Sequence, residues 1–247
     1  MSTSVSPISP WSKSTEPALD VYLLGMVDFD ACLYLQECLA AELAGRNDNS
    51  GILLLCEHPP LITIGREGSR AHLRCEPEEL AARQLEVRWL NRGGGCVAHL
   101  PGQLAAYPIV PLQSRKLGLI DFRERLEEAA VAVCHEFHVS AWRRAESAGV
   151  WCRGGQVAHL GVAIRSWVSY HGLFLNVSPR LDVTRLVQSN VEGRVTSLAA
   201  QRLRLTPMPA VRESLIRHLA ERLEYQRYHL YTGHPLLRRT RRIVAYA

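Results

Sequence analysis

Apolar residues along this chain fall into two patterns: short continuous runs, and longer stripes at helical spacing. The runs predict strands at 21–24, 51–56 (GILLLC), 61–64, 86–90 and 104–110. Three more follow in sequence at 150–152, 157–164 and 167–177, joined by short turns. Glu57-His58-Pro59-Pro60 breaks the second run from the third. The stripes predict helices. One runs from a cap at Asp28 or Asp30 to about Ala44, and a short one covers 76–82. Another covers 121–138, with Leu126, Ala130, Val133, Cys134 and Phe137 on its apolar face. The last runs from Pro209 to about Leu223, with Val211, Leu215, Leu219 and Leu223 at four-residue steps. Clusters of strands separated by a few helices predict an α+β fold with a mixed or antiparallel sheet. No repeat and no mid-chain linker divides it, so a single domain is expected over 19–235, with a loose N-terminal tail at 1–18 and a basic tail at 236–247.

Composition narrows the class. The 247 residues are 47% hydrophobic and 21% charged, an ordinary balance for a globular chain with a sizeable core. No apolar run reaches the roughly 20 residues that span a bilayer, and the polar, Pro/Ser-rich start lacks a secretory h-region. A cytoplasmic protein without membrane or nucleic-acid partners is expected. The net charge of +5 is too small to mark a nucleic-acid binder but favours acidic partners. Lys13 and Lys116 are the only lysines among 29 basic residues, so any mechanism that needs a lysine has two to choose from.

The seven cysteines have no CxxC spacing, so neither a zinc ribbon nor a redox motif is indicated. His135 and His138 form HxxH without a third ligand at a useful spacing, and no metal or cofactor is expected from the pattern. The densest loop is Arg92-Gly93-Gly94-Gly95. Three glycines are costly to order, so the loop is either a tight turn or a backbone that must come close to something. Its pattern is neither GxGxxG nor a P-loop. His99, Pro101, Gly102 and Gln103 follow it, and Tyr170-His171-Gly172 with Asn176 forms a second polar cluster that could converge on the first.

Together these segments resemble the lipoyl(octanoyl) transferase family. Arg92 to Leu104 (RGGGCVAHLPGQL) followed by Tyr107-Pro108-Ile109 resembles its RGG-x-x-TYHGPGQL…YPI signature. Glu57-His58-Pro59-Pro60 with Thr63, Gly65 and Arg66 resembles EHPP…T-x-GR, and Gly149-Val150-Trp151 with 156–162 resembles GVW…KIAAIGV. Tyr170-His171-Gly172 with Leu175-Asn176-Val177, then Val195 to Leu198, resemble YHG-x-ALNV and VTSL. The five segments stand in the family's order over about 20–200. The resemblance implies a biotin/lipoate protein ligase-like fold, a mixed β-sheet flanked by helices. It implies transfer of an octanoyl group from acyl carrier protein to a lysine of a lipoyl domain, in a 2-oxoacid dehydrogenase or the glycine cleavage H protein. It places Arg92, Gly93, Gly94, Gly95, His99, Gly102, Tyr170, His171 and Gly172 along an acyl pocket, in a chain expected to act as a monomer.

The family's reacting pair is a cysteine and a lysine, and this chain departs at both. The lysine position reads Gln156, and the cysteine position reads Ser189. A serine needs an adjacent base to become nucleophilic, and a glutamine side chain cannot exchange a proton near neutral pH. Three readings stay open. A thiol has moved, with Cys96 or Cys152 as nucleophile and His99 or His171 as base. Alternatively, the acyl group passes directly from carrier to acceptor. In the third, the chain is a non-catalytic relative that binds an acyl chain or a carrier or lipoyl domain. An ATP-dependent ligase would be expected to keep the lysine, so Gln156 argues against that reading too.

Overall fold

The apolar run at the centre of the sequence is strand β2 (Gly51–Glu57), and what covers it explains why it needs no alternation. Leu53 and Leu55 face one hydrophobic core, while Ile52, Leu54 and Cys56 face another on the opposite side of the sheet. Such a strand, buried on both faces, reads as continuous apolar sequence. The computed structural model describes residues 17–187 and 194–237. Around β2 lie β1 (Ala18–Met26), α1 (Phe29–Ala44), β3 (Leu61–Ile64), α2 (Pro77–Ala82), β4 (Glu86–Trp89), β5 (Cys96–His99) and β6 (Gln103–Ile109). There follow α3 (Leu119–Glu136), β7 (Ala141–Arg144), β8 (Ser147–Cys152), β9 (Gly155–Arg165) and β10 (Val168–Asn176). The chain continues through α4 (Leu181–Thr184), α5 (Leu198–Arg202), α6 (Met208–Arg222) and β11 (Arg227–Thr232).

The main sheet has eight strands in the order β11-β1-β2-β6-β10-β9-β8-β7. It is mixed: β1 runs parallel to both β11 and β2, and the remaining pairs are antiparallel. Helices α3 and α6 cover one face, burying Phe122, Leu126, Val211 and Leu215 against Leu104, Ala106, Leu173 and Leu175. Helix α1 covers the other, burying Leu35 and Leu39 against Tyr107, Ile109 and Phe174. It starts where sequence predicted, with the Asp28 carboxylate accepting the Ala31 N–H at 2.9 Å.

A second sheet, β4-β3-β5, carries its own core of Ile62, Ile64, Leu80 and Ala98. Sequence reading found β3 and β4 but not β5, whose four residues between Gly95 and Pro101-Gly102 are too short a run to carry a pattern of their own. It also missed β7 and β11. Both are short edge strands, and β11 is exposed at every position, so neither has an apolar pattern to betray it.

Candidate active site

β9 is longer than its neighbour β8, and the site grows from that mismatch. β8 pairs with β9 only as far as His159, so the stretch from Leu160 onward has an open side. The glycine loop occupies it: the Gly93 N–H donates to the Val162 carbonyl at 2.9 Å. On its other side the loop is held by the segment after β3. The Gly65 and Glu67 N–H groups donate to the Gly95 and Gly94 carbonyls at 3.1 Å each, and Arg66 N–H to the Arg92 carbonyl at 2.9 Å. The Glu67 carboxylate accepts the Gly94 N–H at 3.0 Å. Gly161 is what permits the approach, since a Cβ there would stand 2.6 Å from the Gly93 carbonyl oxygen and 3.1 Å from the Arg92 guanidinium. The loop is therefore a close-approach backbone.

The β9–β10 register sets His171 opposite Val162 and Gly172 opposite Gly161. The two segments that sequence singled out are thus joined through one strand. β10 leaves the β6 ladder at Leu173, opposite Ala106, two residues short of Pro108, which has no N–H to give. The freed backbone of His171 takes a left-handed conformation, φ 57°, and its N–H is collected by the Gln36 side-chain carbonyl of α1 at 2.8 Å. Such a conformation costs a non-glycine residue on the order of 1 kcal/mol, so Gln36 holds strain in place. The His171 ring stacks on Tyr170 at 4.8 Å, and its Nδ1 is buried with no hydrogen-bond partner among the described residues. Burial, then the Arg92 cation, push its pKa down to about 3, so the imidazole is neutral.

Arg92 is buried and makes no ion pair among the described residues. Its NH2 donates to the Thr63 hydroxyl at 2.7 Å and to the Thr63 and Gly95 carbonyls at 3.1 and 3.0 Å, and its NH1 to the Gly93 carbonyl at 2.9 Å. Its Nε is buried without a partner among the described residues. The Thr63 hydroxyl contacts His99 Nε2 at 2.9 Å, and His99 Nδ1 contacts the Gln103 side-chain oxygen at 3.2 Å. His99 therefore has both ring nitrogens engaged, with its pKa held well below the ordinary value by burial and by His58 and Arg92. It does not meet His171, and the two sequence-predicted histidines are separate elements of the site.

Gly102 ties the start of β6 to the end of β10. Its N–H donates to the Glu57 carboxylate at 2.7 Å, its carbonyl accepts Val177 and Ser178 N–H at 3.1 and 2.9 Å, and its φ of +87° suits glycine. Gln156 is buried at the start of β9. Its N–H donates to the Arg194 carbonyl at 2.7 Å and its carbonyl accepts the Thr196 N–H at 2.9 Å. Ser189 lies outside the described residues, but the chain re-enters them at Arg194, directly against Gln156.

Cys96 is buried, and its thiol contacts the Ser69 carbonyl at 3.5 Å; that of Cys152 contacts the Gly155 carbonyl at 3.5 Å. Neither has a histidine nitrogen among its hydrogen-bond partners, and burial raises both thiol pKa values. The cysteine that does touch a histidine is Cys56, whose thiol lies 3.4 Å from His58 Nε2 inside the core. His135, half of the HxxH, spends its Nε2 on the Ala141 carbonyl at 3.0 Å. Gln36 escaped sequence reading, although a glutamine on the stripe of Cys32, Leu35, Leu39 and Leu43 was a signal that something there needs an amide.

Known proteins agree with this architecture. The model of the lipoyl protein ligase A/B catalytic domain matches residues 28–220. An octanoyltransferase of Geobacter metallireducens is 39% identical over 194 residues, covering 78% of this chain and 87% of the relative. One of Chloroflexus aggregans is 38% identical over 206 residues, covering 81% and 93%. Among solved structures, a lipoate-protein ligase A bound with ATP superposes with a TM-score of 0.71 at 17% identity, covering 90% of each chain. A bi-partite lipoate protein ligase of Thermoplasma acidophilum gives 0.69 at 17% identity, covering 90% of this chain and 88% of that one. These two carry the fold, and the octanoyltransferases carry the closer kinship: the chain belongs to the lipoyl protein ligase A/B catalytic domain family and is of the lipoyl(octanoyl) transferase type.

Proposed function

We propose that this chain transfers an octanoyl group directly from the thioester of acyl carrier protein to a lysine of a lipoyl domain, without an acyl-enzyme intermediate. The observation that carries the reading is the junction on β9 of the glycine loop and the Tyr170-His171-Gly172 strand, with two buried polar atoms, His171 Nδ1 and Arg92 Nε, without a partner among the described residues. Buried polar groups are ordinarily satisfied, so an unpartnered pair at one junction is suited to a ligand. In this reading Arg92, Gly93, Gly94, Gly95, Gly102, Tyr170, His171 and Gly172 shape the acyl pocket. His99 holds the wall rather than acting as base, since both its nitrogens are engaged. Cys96 has neither a base nor a lowered pKa to make it a nucleophile. Gln156 offers an amide where a proton carrier would be needed for a thioester relay.

The step balances without a protein nucleophile. The neutral lysine amine adds to the thioester carbonyl, the C–S bond breaks, and the proton lost by the amine passes to the departing thiolate. Holding the two partners together and hydrogen-bonding the carbonyl oxygen can lower the barrier by several kcal/mol. The acidic character expected of both partners suits the net charge of +5. Intact-mass spectrometry tests the reading after incubation with octanoyl carrier protein and a lipoyl domain. Octanoylated lipoyl domain with no adduct on this chain is expected. An octanoyl adduct lost in Cys96→Ala or Cys152→Ala would restore the relocated thiol. Carrier binding without any octanoylated product would leave a non-catalytic binding relative.

A further inference from the structure

On the α1 side of the sheet, three metal-ligating side chains meet inside the core. Cys32 comes from α1, Cys56 from β2, and His58 from the break that follows it. The two sulfurs are 4.0 Å apart, Cys56 Sγ is 3.4 Å from His58 Nε2, and all three donor atoms lie within 4.8 Å of one another. The residues are 0%, 3% and 2% exposed. A second observation concerns the imidazole. His58 Nδ1 lies 2.8 Å from the Val27 carbonyl, which can only accept, so Nδ1 carries the hydrogen and Nε2 is the bare nitrogen, accepting from the Tyr107 hydroxyl with the Cys56 thiol 3.4 Å away. A backbone carbonyl on the far nitrogen is how metal-ligating histidines are oriented. The Tyr107 hydroxyl stands 2.6 Å from the same Nε2.

We propose that Cys32, Cys56 and His58 form a buried, structural zinc site, with the Tyr107 hydroxyl oxygen as the nearest fourth donor. With Zn–S near 2.3 Å and Zn–N near 2.0 Å, tetrahedral donors sit roughly 3.5–3.8 Å apart, so the 4.0 Å sulfur pair and the 3.4 Å Cys56–His58 pair need shifts of a few tenths of an ångström, while the widest pair, within 4.8 Å, and the 2.6 Å Tyr107 contact need side-chain rotations of up to about 1 Å on loading. Loading forms two Zn–S bonds, and the two thiol protons leave to solvent. The product, a divalent ion with two thiolates, is neutral and can stay in the core, whereas a monovalent ion would leave a buried negative charge. Thiolate and imidazole donors also select against magnesium and calcium. Gln36 links the site to β10: its Nε2 donates to Cys32 Sγ at 3.8 Å while its oxygen holds the His171 N–H at 2.8 Å. The expectation of no metal rested on the absence of CxxC spacing among the cysteines and on His135 and His138 lacking a third ligand, and this cluster draws its ligands from different elements.

Because the donors are covered, the metal must enter as the chain folds. Protein produced in zinc-supplemented medium and dialysed against chelator is expected to retain one zinc per chain by elemental mass spectrometry. Cys32→Ala and Cys56→Ala should each lose it, and Cys38→Ala should keep it. Wild-type chain refolded with cobalt should show thiolate charge-transfer and tetrahedral d–d bands at one equivalent. In the same wild-type protein, zinc should slow alkylation of Cys32 and Cys56 in mild urea, a readout that needs no variant to fold. The proposal fails if reduced wild-type chain retains no metal and gives no cobalt spectrum. It fails equally if both alanine variants keep the metal, or if the two thiols are isolated as a disulfide.

Discussion

The Gln103 side-chain N–H donates to Asn176 Oδ1 at 2.9 Å, and this one contact sets the direction of a relay that crosses the molecule. Gln103 Nε2 also donates to the Ala98 carbonyl at 3.1 Å, so its oxygen must be the acceptor that faces His99 Nδ1. His99 therefore carries its hydrogen on Nδ1, and Nε2 accepts from the Thr63 hydroxyl, which in turn accepts from Arg92. At the other end Asn176 Nδ2 donates to the Thr196 carbonyl at 3.0 Å. Arg92, Thr63, His99, Gln103 and Asn176 come from three of the five family-like segments, and Thr196 from a fourth.

Gln103→Glu should break the relay in two places. A carboxylate has no hydrogen for Ala98 or Asn176, and both acceptors are left facing an anion in the core. Orphaned buried acceptors cost roughly 1–3 kcal/mol. The urea midpoint should fall accordingly, and the His99 pKa should rise toward its ordinary value because the new charge favours imidazolium. An unchanged midpoint would mean that the amide is not oriented by this chain of contacts.

Gly161→Ala tests the seat of the glycine loop. The new methyl would meet the Gly93 carbonyl, which is backbone and cannot swing away. Overpacking of this kind costs about 1–3 kcal/mol. The loop is expected to lift from β9, exposing the Gly93 N–H. Amide exchange at Gly93 should accelerate by more than tenfold, as about 1.4 kcal/mol per decade implies, while exchange in α3 stays unchanged. Equal acceleration in both would indicate global destabilisation instead.

How much of this was legible in sequence follows from where each contact lies. The strands and helices around β2 were readable because their burial repeats within a few residues. The glycine loop and the Tyr170-His171-Gly172 strand were readable as unusual residues, and their junction was not, because it depends on β8 ending early. The relay joins Thr63 to His99 across 36 positions and Gln103 to Asn176 across 73, and no local pattern carries such pairings. Gln36 and Cys32 carry no local signal of their partners, which come from β10 and β2.

Buried neutral histidines should make stability depend on pH. Burial first, and the Arg92 charge second, lower the His159 pKa to about 4 and the His171 pKa to about 3. In the unfolded chain both titrate near 6.5. Between that value and the folded ones, only the unfolded state binds the protons, so stability is complete above about pH 6.5 and falls as pH drops. The slope is up to about 1.4 kcal/mol per pH unit for each histidine. Urea titrations at successive pH values should show the decline beginning below pH 6.5 and easing near pH 4. His159→Phe should make it shallower by about one histidine's share, the His171 share remaining, and an identical slope in that variant would remove His159 from the account.

Restoring the family's reacting pair offers the sharpest test of why this chain would work without it. Gln156 is buried against Arg194 and Thr196, beside the point where the chain returns after position 189. A lysine ammonium next to a thiol favours the thiolate, and a thiolate attacks a thioester where a serine hydroxyl without a base does not. Native protein incubated with octanoyl carrier protein should therefore show no octanoyl adduct. Gln156→Lys combined with Ser189→Cys should acquire one, on the introduced thiol, approaching one octanoyl per chain. Ser189→Cys alone should label at least about tenfold more slowly, since a thiol near its ordinary pKa of about 8.5 is only a few per cent ionised at neutral pH. If the folded double variant binds carrier yet stays unmodified, positions 156 and 189 do not face one another, and the alignment that made them the reacting pair is wrong.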